Sequence, residues 1–206
     1  MVALLAGAIL MMAVVNVGAT TIINGGFESG NFNGWTNFGP GANSVVTSAT
    51  AFDETVYNAT EGNYFARFDA TSGAIQNQIT WEAGDWISFK WAFLSQDEMP
   101  YNDYSLFTLI QNETYQQLVN VKLADVATAG DFADTGWKTY GYKFNTAGSG
   151  WIMFYSVDTL DTYANSSLLV DDISSNPVPE PGTMMLLGMG MLGLAIYGKR
   201  RMNKEA

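Results

Sequence analysis

Between residues 64 and 173 the chain is cut into eight runs of six to nine residues. Apolar side chains recur at alternate positions in these runs, which are separated by stretches rich in Gly, Asn, Asp and Ser. A period of two is that of a strand with one dry face, and the separating residues are turn formers. The pattern predicts strands at 64–69, 75–81, 86–94, 104–110, 118–123, 137–144, 151–157 and 167–173. Outside the two chain ends no run keeps a 3.6-residue apolar period, and no repeat of solenoid length is present. Eight strands with longish loops predict an all-β fold, a single jelly-roll β-sandwich.

Parity assigns the faces. Ile87, Phe89, Trp91 and Phe93 share the core side of their strand, opposite Trp86, Ser88, Lys90 and Ala92. Tyr140, Tyr142 and Phe144 are expected inside in the same way. On 151–157 the expected core side is Trp151, Met153, Tyr155 and Val157. That leaves Ile152 and Phe154 on the other face, either covered by a loop or lining a shallow ligand surface.

The two ends differ from this middle. Residues 2–15 are apolar and Val17-Gly18-Ala19 supplies the residues a signal peptidase accepts, so 1–19 reads as a signal helix cut after Ala19. At the other end Pro179, Glu180 and Pro181 form a stiff strip that no helix or sheet absorbs. Residues 183–198 follow without a charge and then Lys199, Arg200 and Arg201. Sixteen helical residues span roughly 24 Å, short of the roughly 30 Å hydrocarbon core, so a crossing requires snorkelling or local thinning. The basic stop is expected to stay cytoplasmic, with everything upstream on the far side. No two glycines of the run are spaced i,i+4, so it reads as an anchor and not a dimerising helix. The expected organisation is a signal peptide at 1–19, a sandwich at 20–176, a sorting segment at 177–201 and a cytoplasmic tail at 202–206.

The exported part has five basic residues, Arg67, Lys90, Lys122, Lys138 and Lys143, against the nineteen acids that precede Pro181, a balance of −14. Such a surface repels a phosphate backbone, so nucleic acid is excluded as a partner. There is no Cys and no His. Disulfides, thiol nucleophiles, Ser-His-Asp relays and His/Cys zinc sites are therefore all absent. The chemistry left open to such a chain is glycoside hydrolysis by paired carboxylates, and Glu61, Glu82 and Glu113 stand isolated near turns. The expectation is no enzyme.

Val178-Pro-Glu-Pro, an apolar helix and Lys-Arg-Arg, in that order at the chain end, resemble the PEP-CTERM sorting signal of Gram-negative bacteria. The resemblance implies a membrane-embedded exosortase as processing partner and a destination at the cell surface or in the extracellular matrix. Asn24-Gly-Gly-Phe-Glu28 and Asn31-Phe-Asn-Gly-Trp35 near the start of the exported part, with Leu168-Leu-Val-Asp171-Asp172-Ile173 near its end, resemble the galactose-binding-like β-sandwiches of carbohydrate-binding modules. That likeness implies that the first and last segments lie side by side. It also implies a structural Ca²⁺ held by Glu28 and Asp171, with Asp172 the alternative, together with backbone carbonyls.

The loop from Asp97 to Tyr104 has oxygens enough for another cation but no EF-hand spacing, and reads as solvated. Among the tryptophans, Trp35 is expected in the core. Trp86 and Trp137 start strands on the non-core parity and, with Phe154, are the candidates for stacking on sugar rings. The function expected first is that of a non-catalytic structural or adhesive protein in the exopolysaccharide layer. A carbohydrate-binding module is the alternative, and a glycoside hydrolase comes third.

Overall fold

The computed structural model describes residues 22–69, 71–112, 114–161, 163–176 and 189–191. The expected signal segment, Pro179, Glu180, Pro181, Lys199, Arg200, Arg201 and Glu113 lie outside the described residues. Residues 189–191 are helical. Among the described residues no helix is long and apolar enough to cross a membrane.

In chain order the strands are β1 (Thr36–Phe38), β2 (Asn43–Val46), β3 (Ser48–Thr50), β4 (Val56–Asn58), β5 (Phe65–Asp69) and β6 (Ser72–Trp81). They continue with β7 (Trp86–Leu94), β8 (Tyr104–Gln111), β9 (Gln117–Asp125), β10 (Lys138–Lys143), β11 (Gly148–Val157) and β12 (Ser167–Asn176). A single helical turn, α1 (Val126–Ala129), follows β9, capped by Asp125. Two five-stranded antiparallel sheets form the sandwich, in the orders β1-β6-β11-β8-β9 (the first sheet) and β10-β7-β12-β5-β2 (the second), beside a small β3-β4 pair. From β5 to β8 successive strands alternate between the sheets, as a jelly roll requires.

All eight expected strands are present, and β7 has the expected bounds. The short β1 to β4 and the turn α1 were not expected. Each is three or four residues long, too few for alternation to register.

The inner faces meet in an aromatic core. Ile87, Phe89, Trp91 and Phe93 are buried as expected, and the Phe89 ring lies 4.7 Å from both Phe107 and Phe154. Burying each of these large side chains stabilises the fold by about 1.5–3 kcal/mol. A second, smaller cluster of Ala49, Tyr57, Phe65, Leu94 and Leu169 lies under β3-β4, which explains why Ala92 is buried on the outward parity of β7.

The expected faces of β11 are reversed. Ile152, Phe154 and Ser156 are fully buried, and Trp151, Met153, Tyr155 and Val157 point outward, half-exposed. Phe154 is thus a core residue, packed on Trp35, Phe89 and Phe107, and is corrected as a ligand-face candidate. The loop carrying Asp97 and Asp103 is not simply solvated either, because both carboxylates are buried.

Candidate functional site

The first and last segments of the exported part do lie side by side: the Ile173 N–H donates to the Gly25 carbonyl at 3.1 Å. Asn24 pins the opening turn by accepting from the Ser29 N–H and donating to the Asn31 and Asn33 carbonyls. This directs Phe27 into the core and Glu28 toward the loop that precedes β5.

Two carboxylates hold that loop. Asp171, fully buried, accepts on Oδ2 from the Thr60 N–H (2.6 Å), the Thr60 hydroxyl (2.8 Å) and the Glu61 N–H (3.2 Å). Its Oδ1 accepts from the Asp172 N–H at 2.7 Å. Glu28 accepts from the Asn63 and Tyr64 N–H groups at 2.9–3.0 Å. The carboxylate leaves no room for a side chain at Gly62, which has φ +64° and whose Cβ would stand 2.2 Å from the Glu28 carboxyl carbon.

The clasp is strongly anionic. The Glu61 carboxyl is pushed above its ordinary range, first by the neighbouring Asp172 and then by burial, Asp171 and Glu28. Among the described residues no group of three acidic side chains is arranged to hold a metal ion. Any ion here would need Glu28 and Asp171 or Asp172 supplemented by loop carbonyls, the mixed oxygen set that Ca²⁺ accepts.

A second feature was placed inside the protein by the sequence reading. The outer face of the first sheet carries an aromatic row along β11. At one end Trp151 meets the exposed Tyr115 edge-on, with centroids 5.7 Å apart. At the other, Tyr155 lies 6.1 Å from Phe38. Trp151 and Tyr155 are four strand steps apart, about 13 Å.

Register supplies the flanks. Tyr155 stands between Gly73 and Leu106, Met153 is opposite Thr108, and Trp151 is opposite Ile110, with Gln117, Asn120 and Lys122 one strand further out. A Cβ on Gly73 would come within 2.5 Å of the Tyr155 Cβ and 2.8 Å of the Phe38 ring, so the pair sits over a bare backbone. Burial raises the Tyr155 hydroxyl, helped by Tyr104, while a hydrogen bond with Thr108 lowers it.

A third feature is a cleft of about 550 Å³ at one end of the sandwich, with Arg67, Asp69, Gln96, Asp158 and Asn165 in its wall. Arg67 Nε donates to Asp69 at 2.6 Å, and Asp69 also accepts from the Ser167 hydroxyl. Asp103 pins the wall from behind by accepting from the Thr159 and Ser166 N–H groups. Among the described residues, the buried Asp97 Oδ2 and Asp158 Oδ1 have no hydrogen-bond partner. Burial, reinforced by Asp103 and Asp161, pushes both of these carboxyls up.

The tryptophans named from the sequence do not form one cluster. Trp86 is 45% exposed on the outer face of the second sheet, with the Lys143 Nζ 5.9 Å from its ring centre. Trp137 is partly buried, edge-on to Phe65 and Tyr57, with its Nε1–H on the Asn58 carbonyl. Trp35 is buried as expected. Glu61 and Glu82 lie in different loops, at the clasp and in the turn between β6 and β7.

Residues 177–201 match the PEP-CTERM protein-sorting motif. A motif of this kind implies export, a membrane-anchored precursor and processing by exosortase. No curated protein matches the sequence. The sandwich is similar to the solved carbohydrate-binding module TmCBM61, in complex with beta-1,4-galactotriose, with 20% identity and a TM-score of 0.50 over 78% of this chain and 100% of that one. It is also similar to the K3 cleaved adhesin domain of Lys-gingipain from Porphyromonas gingivalis, with 12% identity and a TM-score of 0.50 over 76% and 99%. At these identities the likeness shows a shared β-sandwich fold.

Proposed function

We propose that this exported surface protein is a non-catalytic polysaccharide-binding component of the extracellular layer, and that it binds through the outer face of the first sheet. The observation that carries this reading is the row of Trp151, Tyr115, Tyr155 and Phe38, half-exposed or exposed on one flat face and flanked by Gln117 and Asn120. Aromatic faces stack on sugar rings while amides exchange hydrogen bonds with hydroxyls. In the same reading Glu28 and Asp171, with Asp172 the alternative, hold a structural Ca²⁺ that neutralises the clasp. Signal peptidase and exosortase are the processing partners, and the layer is the exopolysaccharide in which the domain acts structurally or adhesively.

The test is affinity electrophoresis and calorimetry of the exported chain against β-1,4-galactan and a panel of bacterial exopolysaccharides. Losing one stacking face is worth about 1.4 kcal/mol, so Trp151→Ala and Tyr155→Ala should each weaken binding about tenfold. Trp86→Ala should leave it unchanged. No retention on any polysaccharide, or a loss confined to Trp86→Ala, would refute the assignment.

A further inference from the structure

The cleft at the end of the sandwich is continuous with the aromatic row. Phe38 and Tyr155 flank Gly73 in the register of β1, β6 and β11. Each of these strands extends into the cleft. Two residues past Phe38 is Pro40, two before Gly73 is Thr71, and three past Tyr155 is Asp158, all of them in its wall. The pieces are tied together, since the Gly41 N–H donates to the Thr71 carbonyl and the Asp158 N–H to the Thr71 hydroxyl. Three strand steps cover about 10 Å, so a polymer lying on Tyr155 enters the cleft as it runs on.

The second sheet supplies the polar side chains. Arg67 and Asp69 come from the end of β5, Gln96 from the loop after β7 and Asn165 from the loop before β12. The Arg67 and Asp69 side chains are 28% and 23% exposed, so a guanidinium and a carboxylate stand side by side within reach of a ligand. Such a pair offers donors and acceptors to neighbouring hydroxyls, and the two amides add both kinds. The volume of about 550 Å³ is that of a small-molecule site.

The charge of the cleft is one-sided. Among the described residues Arg67 is the one basic residue in the wall, and its ion pair with Asp69 leaves the Asp158 charge unbalanced. Asp103, Asp161 and Asp97 are near enough to reinforce the rise of the Asp158 carboxyl that burial begins. A site with this surplus of carboxylates attracts a cation and repels an anion.

We propose that the cleft is the specificity subsite of the polysaccharide site: it takes the sugar unit that follows the aromatic row, and it favours an amine-bearing unit over a neutral one and a neutral one over a uronic acid. Arg67, Asp69, Gln96 and Asn165 hold the unit, and Asp158 supplies the charge that selects it. The proposal rests on the reading of the outer β11 face as the polysaccharide site.

The test is calorimetry of the full chain at low salt with three β-1,4-linked tetramers, of glucosamine, glucose and glucuronic acid, which vary the charge on one backbone. The expected order of affinity is amine, neutral, acid. Because the whole domain is acidic, variants must locate the selection. Asp158→Asn should shrink the amine-to-acid ratio about tenfold. Glu82→Gln, in the turn at the other end of β6 and about 30 Å away, should leave that ratio unchanged. Gln96→Ala should weaken all three tetramers about fivefold.

An unchanged ratio in Asp158→Asn, an equal change in Glu82→Gln, a preference for the acid, or no binding of any tetramer overturns the subsite. Trp151→Ala separates this proposal from the reading beneath it, and should weaken all three tetramers alike without altering their ratio. Binding that is lost in Trp151→Ala but indifferent to the cleft variants leaves the sheet face standing and overturns the subsite. Binding that responds to the cleft variants but not to Trp151→Ala overturns the sheet face and keeps the cleft as a charge-selecting sugar site.

Discussion

Replacing Asp171 by alanine tests the clasp that joins the two ends of the exported chain. Its carboxylate is fully buried and takes three donors from Thr60 and Glu61 and one from Asp172. A hydrogen bond to a charged group contributes about 1.5–3 kcal/mol, and four at full strength would exceed the stability of many domains. Thr60 and Glu61 are exposed, however, so water can take over part of their bonding once the side chain is gone. Counting two bonds as lost gives about 3 kcal/mol. In a domain of roughly 155 residues this lowers the Tm by about 6–12 °C.

Asp171→Asn should fall nearly as far, because its amide N–H₂ would face donors where Oδ2 now accepts. Calorimetry with calcium and with EDTA separates the clasp from the ion. At a hundredfold excess over its Kd a bound ion adds about 2.7 kcal/mol, an increment that both variants should abolish. A loss below about 1 kcal/mol in Asp171→Ala would show that the loop is held by something other than these bonds.

Two further outcomes follow from burial. Phe154→Ala should lower stability by about 3–5 kcal/mol in denaturant titration, whereas Trp151→Ala, three residues earlier on the opposite face, should cost less than about 1 kcal/mol; similar losses would contradict the assignment of faces on β11. Burial first, and then the neighbouring aspartates, raise the Asp97 and Asp158 carboxyls above the ordinary 3.8. The stability these groups contribute is therefore present below pH 3.8 and lost as pH rises through their folded values. Asp97→Asn should accordingly raise the Tm at pH 7 more than at pH 3.5, and a pH-independent difference would refute the argument. Asp125 runs the other way. Burial opposes its ionisation, but hydrogen bonds from Lys122, Thr128 and Asn102 bring it down to about 2, so its contribution is present above 3.8 and fades only as pH falls through about 2.

The strands were legible where one face is apolar and the other is not. β7 sets Phe89 and Phe93 against Ser88 and Lys90, and both its bounds and its buried side follow from that contrast. The clasp was half legible: the opening and closing segments pointed to Glu28 and Asp171, but nothing marked Thr60 to Tyr64 as the donors. The signal was present in Gly62, where a glycine between two polar residues satisfies a positive φ beside a carboxylate. The burial of Asp97 and Asp103 was not legible, since an acid in a loop looks solvated until the loop is seen folded back on the 158–166 segment.

β11 failed for a reason that bears on function. Its two faces read Trp151, Met153, Tyr155, Val157 and Ile152, Phe154, Ser156, so both are apolar and parity alone cannot choose the inner one. The choice is made by the neighbours: Phe107 and Leu109 on β8 pair with Phe154 and Ile152, and the narrower inner face closes against Phe89. The larger side chains are then left outside. An antiparallel sheet in a sandwich normally turns its polar alternates to water, whereas here Trp151, Met153 and Tyr155 stay only partly buried on the outer face. The face proposed for polysaccharide, bordered by Tyr115 and Phe38, lies on the sheet opposite the one through which the chain leaves toward residues 177–201, so binding there would leave the tethered side free.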